Sequence, residues 1–198
     1  MDSFLSIKPL PEDSILTSII NCIELMRHIL LLIPVLFFSF VSFAQFDKAF
    51  YQGENARVDS EIPYPGSLSG HAFGSWHFSH DQMVAYLEAL SKKTGRMSLM
   101  EYGRSYENRP LHLITFTSPR NHARLDEIRS AHKDYLQGKN ERYLEEDMPL
   151  IVWLGYSVHG NESSPGNASM LLAYYLSASE TPEIKEILDN TIILIDPC

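Results

Sequence analysis

The chain has 198 residues, which is room for one domain. Its 44% hydrophobic and 21% charged residues exclude a disordered polypeptide, and a formal net charge of −9 without any Lys/Arg-rich block argues against a nucleic-acid partner. Of the two cysteines, Cys22 lies near the start and Cys198 is the last residue, so no disulfide framework is expected and the core must hold by burial.

Residues 1–44 read as a targeting segment. Arg27 and His28 precede an apolar run from Ile29 to Phe43, and Ser42-Phe43-Ala44 has the small residues of a signal-peptidase site ahead of Gln45. The run is short of the roughly 20 apolar residues that a membrane span needs. Cleavage after Ala44 is therefore expected, with an uncleaved anchor as the alternative. The mature chain is then secreted or periplasmic, without stable membrane insertion. Met26, just before the basic pair, is a candidate natural start, which would make residues 1–25 an upstream extension.

Residues 45–75 are rich in Gly, Pro, Ser and aromatics and read as an irregular leader; the regular elements of a folded domain are expected over residues 76–198. Ser79 with Gln82 predicts a capping box. Met83, Val84, Leu87 and Leu90 continue a helix that Gly95 should end. The segments from Met97 to Tyr102 and from Leu111 to Phe116 predict a hairpin around a longer loop. Ser118-Pro119 opens a second helix, with Leu125, Ile128, His132, Tyr135 and Leu136 on one face. A charged link over residues 137–147 leads to a strand from Pro149 to Tyr156. Ser164-Pro165 predicts the next helix start, with Met170, Leu171, Tyr174 and Tyr175 as its buried face. Thr181-Pro182 predicts a short helix, and Thr191 to Ile195 a continuous apolar strand.

This alternation predicts an α/β fold: a mixed, mostly parallel sheet with helices on both faces and the strand at residues 149–156 in its centre. The chain stops just past an apolar strand, so an incomplete domain is expected.

One motif carries definite chemistry. After the strand at residues 149–156 comes His159-Gly-Asn-Glu162, then a helix. An imidazole and a carboxylate three positions apart are donors that one Zn2+ ion can share, and Gly160 suits a tight bend between them. The alternative is a surface histidine and a helix-start glutamate favoured by the helix dipole. The strand-loop-helix context favours a site, because ligands in open α/β sheets gather at the carboxyl ends of strands.

The segment from Leu150 to Asn167 resembles the metal-binding segment of the zinc carboxypeptidase family, whose first two ligands stand as H-x-x-E after a strand. Gly103-Arg-Ser-Tyr-Glu-Asn-Arg-Pro110 resembles that family's G-x-S-x-x-x-R hairpin, and Ile192-Ile-Leu-Ile-Asp-Pro-Cys198 the strand before its Asn-Pro-Asp-Gly segment. The resemblance implies a metallopeptidase acting on peptide or protein substrates, with His159 and Glu162 as zinc ligands. It also places the third ligand and the general-base glutamate beyond Cys198, so that the present chain alone would be inactive. Digestive members carry an arginine just before the ligand glutamate; here that position is Asn161, whose amide is the candidate substrate-binding donor. Two alternatives stand beside the peptidase: a zinc amidase or deacylase of the aspartoacylase-like branch, and a non-catalytic peptide-binding module.

Other motifs carry less. His71, His77 and His80 lack the Cys or carboxylate partners of a regular metal cluster. Gly103-Arg-Ser-Tyr-Glu lacks the second glycine of a nucleophile elbow. Asn161-Glu-Ser163 and Asn167-Ala-Ser169 match the glycosylation pattern, but a glycan would block the metal loop.

Overall fold

The computed structural model of the protein describes residues 12–39, 51, 56–68, 70–139 and 148–197. The chain divides into two compact units, Met1–Ala44 and Gln45–Cys198. In the first, α1 spans Glu12–Ser39, and its described side chains are exposed, Leu30 among them. No helix among the described residues is long and apolar enough to cross a membrane. Cys22 is a free, exposed thiol. The expected cleavage site at residues 42–45, and Cys198, lie outside the described residues.

In the second unit, α2 (His80–Ser91) begins at the capping box. The Ser79 hydroxyl accepts from the Gln82 N–H, and the Gln82 side chain accepts from the Ser79 N–H at 2.9 Å. Such a cap contributes about 1 kcal/mol. The helix buries Met83, Tyr86, Leu87 and Leu90 and stops at Ser91, short of Gly95. The hairpin follows as β1 (Met97–Arg104) and β2 (Pro110–Phe116), antiparallel, with a register irregularity between Glu101 and Gly103.

Ser118 does cap a helix, but only the single turn α3 (Pro119–His122). Arg124, at φ −127° and ψ 22°, interrupts it, and the helix resumes as α4 (Leu125–Leu136). Of the apolar face predicted there, Ile128 is buried and Leu136 is 81% exposed. The break has a cause in Asn121, which is fully buried. Its amide donates to the Asp189 carbonyl at 2.9 Å and to Thr117 Oγ1 at 3.1 Å, tying this turn to the far end of the domain. Residues 140–147 of the predicted link lie outside the described residues.

The strand β3 (Leu150–Gly155) leads through α5 (Ser163–Ala178) and α6 (Pro182–Asn190) to β4 (Thr191–Asp196). The sheet order is β1-β2-β4-β3. This corrects two expectations. The sheet is mixed but mostly antiparallel: β1 with β2 and β2 with β4 are antiparallel, and only β3 with β4 is parallel. The passage through α5 and α6 supplies the crossover that the parallel β3–β4 pair requires, the short turn after β1 can join only an antiparallel hairpin, and β2 meets β4 across the sequence, where no local connection sets the direction. The strand predicted at the centre, β3, lies at an edge among the described residues, and β4 takes the inner place.

The core packs α2, α5 and α6 against one face of the sheet, through Leu87, Leu90, Met170, Leu188, Phe116 and Ile195. Adjacent to it is a tyrosine cluster. The Tyr64 and Tyr174 rings meet edge-on at 5.1 Å, and the Tyr86 hydroxyl donates to the Pro63 carbonyl at 3.1 Å. Burial, reinforced by the neighbouring Tyr174, pushes the Tyr64 hydroxyl up to about 12. The same causes raise Tyr86, and burial raises Tyr174. The carboxyl end of α5 is held by Arg96, whose guanidinium donates to the Ser179 carbonyl at 2.5 Å and pairs with Glu180 at 2.8 Å. Positive charge at a helix C-terminus complements its unpaired carbonyls.

Candidate active site

The site begins where β3 ends. The Tyr156 N–H donates to the Asp196 carbonyl at 2.8 Å, extending the β3–β4 pairing by one bond. Tyr102 donates to the Asp196 carboxylate at 3.1 Å, so β1, β3 and β4 all meet at this residue. Ser157 then adopts φ 51°, in the left-handed region, and turns the chain out of the sheet. That bend sits at Ser157 rather than at Gly160, whose φ is not positive, so the flexibility expected of the glycine is not what the turn uses.

The two predicted ligands share one turn. The Glu162 N–H donates to the His159 carbonyl at 3.0 Å, and both side chains are exposed. Glu162 is also the N-cap of α5, in extended conformation and without a side-chain cap bond. This displaces the expected start at Ser164-Pro165: the helix begins at Ser163, and Pro165 falls in its first turn, where a backbone N–H has no intrahelical partner in any case. The Glu162 carboxylate is therefore not committed to capping its own helix.

Glu162 lines a cavity of about 330 Å³, together with Ser157 and Gly160 from its own loop and with His77, His80 and Arg109 from other segments. His159 and Asn161 do not line it. A second cavity, of about 420 Å³, lies along α5 between Phe73, Leu171, Leu172 and Tyr175. It is larger but carries no histidine or carboxylate in its wall, so the chemistry belongs to the first.

Three residues that build the site were noted in the sequence for other reasons, and none of their tertiary partners was. The Asn167 side chain accepts from the Phe78 N–H at 3.1 Å and donates to the Trp76 carbonyl at 3.3 Å, which clamps the segment bearing His77 onto α5. That amide is already employed in the fold, which removes the glycosylation reading of Asn167. Ring nitrogen Nε2 of His80 lies 3.0 Å from the Pro110 carbonyl. A carbonyl can only accept, so this nitrogen carries the hydrogen. Its Nδ1 is buried without a hydrogen-bond partner, 3.6 Å from the Asp81 carboxylate. Arg109 is fixed by its turn: Ser105 Oγ accepts from the Arg109 N–H at 3.2 Å, and the Ser105 N–H donates to the Arg109 carbonyl at 2.9 Å. Asn108 supplies the left-handed residue, at φ 61°. Of these positions only Arg109 was tied by its local signature, the hairpin motif, to the family resemblance.

The three early histidines form no single cluster: His77 and His80 line the cavity and His71 does not. The His71 ring packs on Phe78 at 4.9 Å, His77 stacks on Trp76 at 5.3 Å, and His80 bonds the hairpin. Among the described residues, no group of three or more His, Cys, Asp or Glu side chains is placed to hold a metal ion. The imidazole of His159 and the carboxylate of Glu162 are donor types that suit zinc, but they supply two positions where a catalytic site uses three.

The zinc carboxypeptidase family model matches residues 83–198, a stretch that runs from α2 through the hairpin and the His159–Glu162 turn to β4. No curated protein sequence matches the chain. The match spans more than half of the 198 residues and contains every strand of the sheet. The chain belongs to the zinc carboxypeptidase family.

Proposed function

We infer that this chain belongs to an exported zinc-dependent peptidase of the carboxypeptidase type, with His159 and Glu162 as zinc ligands. The observation that carries the reading is the family match over residues 83–198 coinciding with a His159–Glu162 turn at the end of a strand. The apolar run from Ile29 to Phe43 and the small residues up to Ala44 support export. Bound zinc would supply a Lewis acid and lower the pKa of a coordinated water. The chain's own residues do the positioning. The Glu162-to-His159 backbone bond sets the spacing of the two donors, and the cavity beside Glu162 receives the peptide. Asn161, between the donors, offers an amide to a substrate carbonyl in place of an arginine.

Two donors bind zinc weakly, so the 198-residue chain should not hold it stoichiometrically at micromolar concentration. The test is a zinc titration followed through the histidine ring signals in NMR. Signals of His159 should move first, and Glu162→Gln should weaken the response. A response at another histidine, with His159 unmoved, would overturn the ligand assignment. Peptides and N-acyl amino acids offered to the longest available form of the enzyme test the reaction class; hydrolysis of the N-acyl amino acids alone would favour the deacylase instead.

A further inference from the structure

The cavity beside Glu162 has walls contributed by distant segments, each bolted to another. His80 joins α2 to the hairpin at Pro110, Asn167 joins α5 to Trp76 and Phe78, and Ser105 closes the turn that carries Arg109. Such a cavity needs little rearrangement to receive a ligand, and a preorganised pocket loses less free energy on binding.

Its electrostatics are specific. Arg109 is the permanent cation in the wall, and its Nε is held at 3.0 Å by Glu107. That ion pair consumes one donor and leaves the two Nη groups, which are the fork that matches a carboxylate. Ser163 and Gly166 bring the amino end of α5 to the same cavity, where no side chain caps the helix and no acidic residue stands in its first turn. Unpaired N–H groups and the helix dipole favour negative charge there. The one carboxylate in the wall, Glu162, is the proposed metal ligand, so its charge is directed to zinc. Arg109 and Glu162 balance in the wall, and Arg109 is the group there that offers charged donors to an anion.

We propose that this cavity is a subsite for an acidic side chain of the peptide substrate, with Arg109 as the residue that binds its carboxylate. The inference rests on the reading of the chain as a zinc peptidase, for the identity of the ligand as a peptide and for the charge of Glu162. At about 330 Å³ the cavity accommodates a whole glutamate side chain and not merely the carboxylate. The exposed Trp76 ring, stacked on His77 at the wall, offers an apolar shelf for the neighbouring residue.

The test uses the 198-residue chain without zinc, in a Glu162→Gln background that removes the wall's own carboxylate, and reads binding alone, so that absence of hydrolysis does not decide it. Two acetylated, C-amidated peptides differing only in a central Glu or Gln are compared by fluorescence anisotropy, with a third that carries Gln and a free C-terminus. The Glu peptide should bind about fivefold more tightly than its Gln counterpart, and rising salt should erode the difference. Arg109→Gln should abolish the preference while leaving the thermal transition in place. Equal binding of Glu and Gln peptides, no measurable binding of either at millimolar concentration, a preference that survives Arg109→Gln, or a gain confined to the free C-terminus would each overturn the proposal. The Glu-against-Gln comparison in the Glu162→Gln background decides even if the further Arg109→Gln variant does not fold.

Discussion

The strands β3 and β4 are both short, both almost wholly apolar and paired to each other in parallel, yet they live in different environments. In β4, Ile192, Ile193 and Ile195 are buried, and the strand is flanked on both sides. In β3, Leu150 is 65% and Trp153 71% exposed, and the strand stands at an edge among the described residues. The inner strand holds the core. The outer one delivers the His159–Glu162 turn to the end of the sheet. Apolar composition alone does not distinguish the two tasks; position in the sheet does.

The largest test of this contrast is a truncation in β4. Ile195 is fully buried and pairs with Ile114 and Leu154. Ile195→Ala should cost about 3 kcal/mol, the usual result of opening a cavity in a core that cannot collapse, measured by urea unfolding. A cost below about 1 kcal/mol would mean that β4 is not the structural centre. The next effect is a pH dependence on the same side of the molecule. The Tyr64 hydroxyl is raised from 10.0 to about 12, and Tyr86 and Tyr174 move in the same direction. An acid whose pKa is higher in the folded state is bound in its neutral form, so its contribution is complete below the unfolded value and is lost as pH rises above it. Stability should therefore fall between about pH 10 and pH 12, by on the order of 1 kcal/mol for Tyr64 once discounted for the water reaching its half-buried ring. Tyr64→Phe should blunt that fall; an unchanged alkaline transition would remove the cluster from the account.

What the chain's sequence disclosed follows the range of the interaction. The Ser79–Gln82 capping box and the hairpin around residues 103–110 are written within a few residues, and both are present as read. The break at Arg124 was hidden because its cause, Asn121 bonding to the Asp189 carbonyl, spans 68 residues. The Asn167 clamp on Phe78 spans 89, and the His80 bond to Pro110 spans 30. Sheet direction was misjudged for the same reason. A continuous apolar run signals burial between layers but carries no information about the neighbour on either side, and two of the three pairings are antiparallel. The His159–Glu162 turn was thus legible as a local motif and the cavity beside it was not, since Arg109, His77 and His80 reach it only through tertiary contacts.

The smallest effect on stability is expected in β3, and it separates the two strands most directly. Trp153 and Ile151 lie on the face opposite Leu154, which packs against the core beside Ile195. Replacing Trp153 by lysine removes no core contact, so the unfolding free energy should change by no more than about 0.5 kcal/mol. Its effect should appear instead in association. A strand reading Leu-Ile-Val-Trp-Leu, at an edge among the described residues and with no charge, proline or bulge, offers its backbone row and the exposed Trp153 ring to another copy. Light scattering during concentration of the chain should therefore rise later for Trp153→Lys than for the wild type. A loss of about 2 kcal/mol or more would show that Trp153 is packed, and the distinction between the burying strand and the presenting strand would then fail.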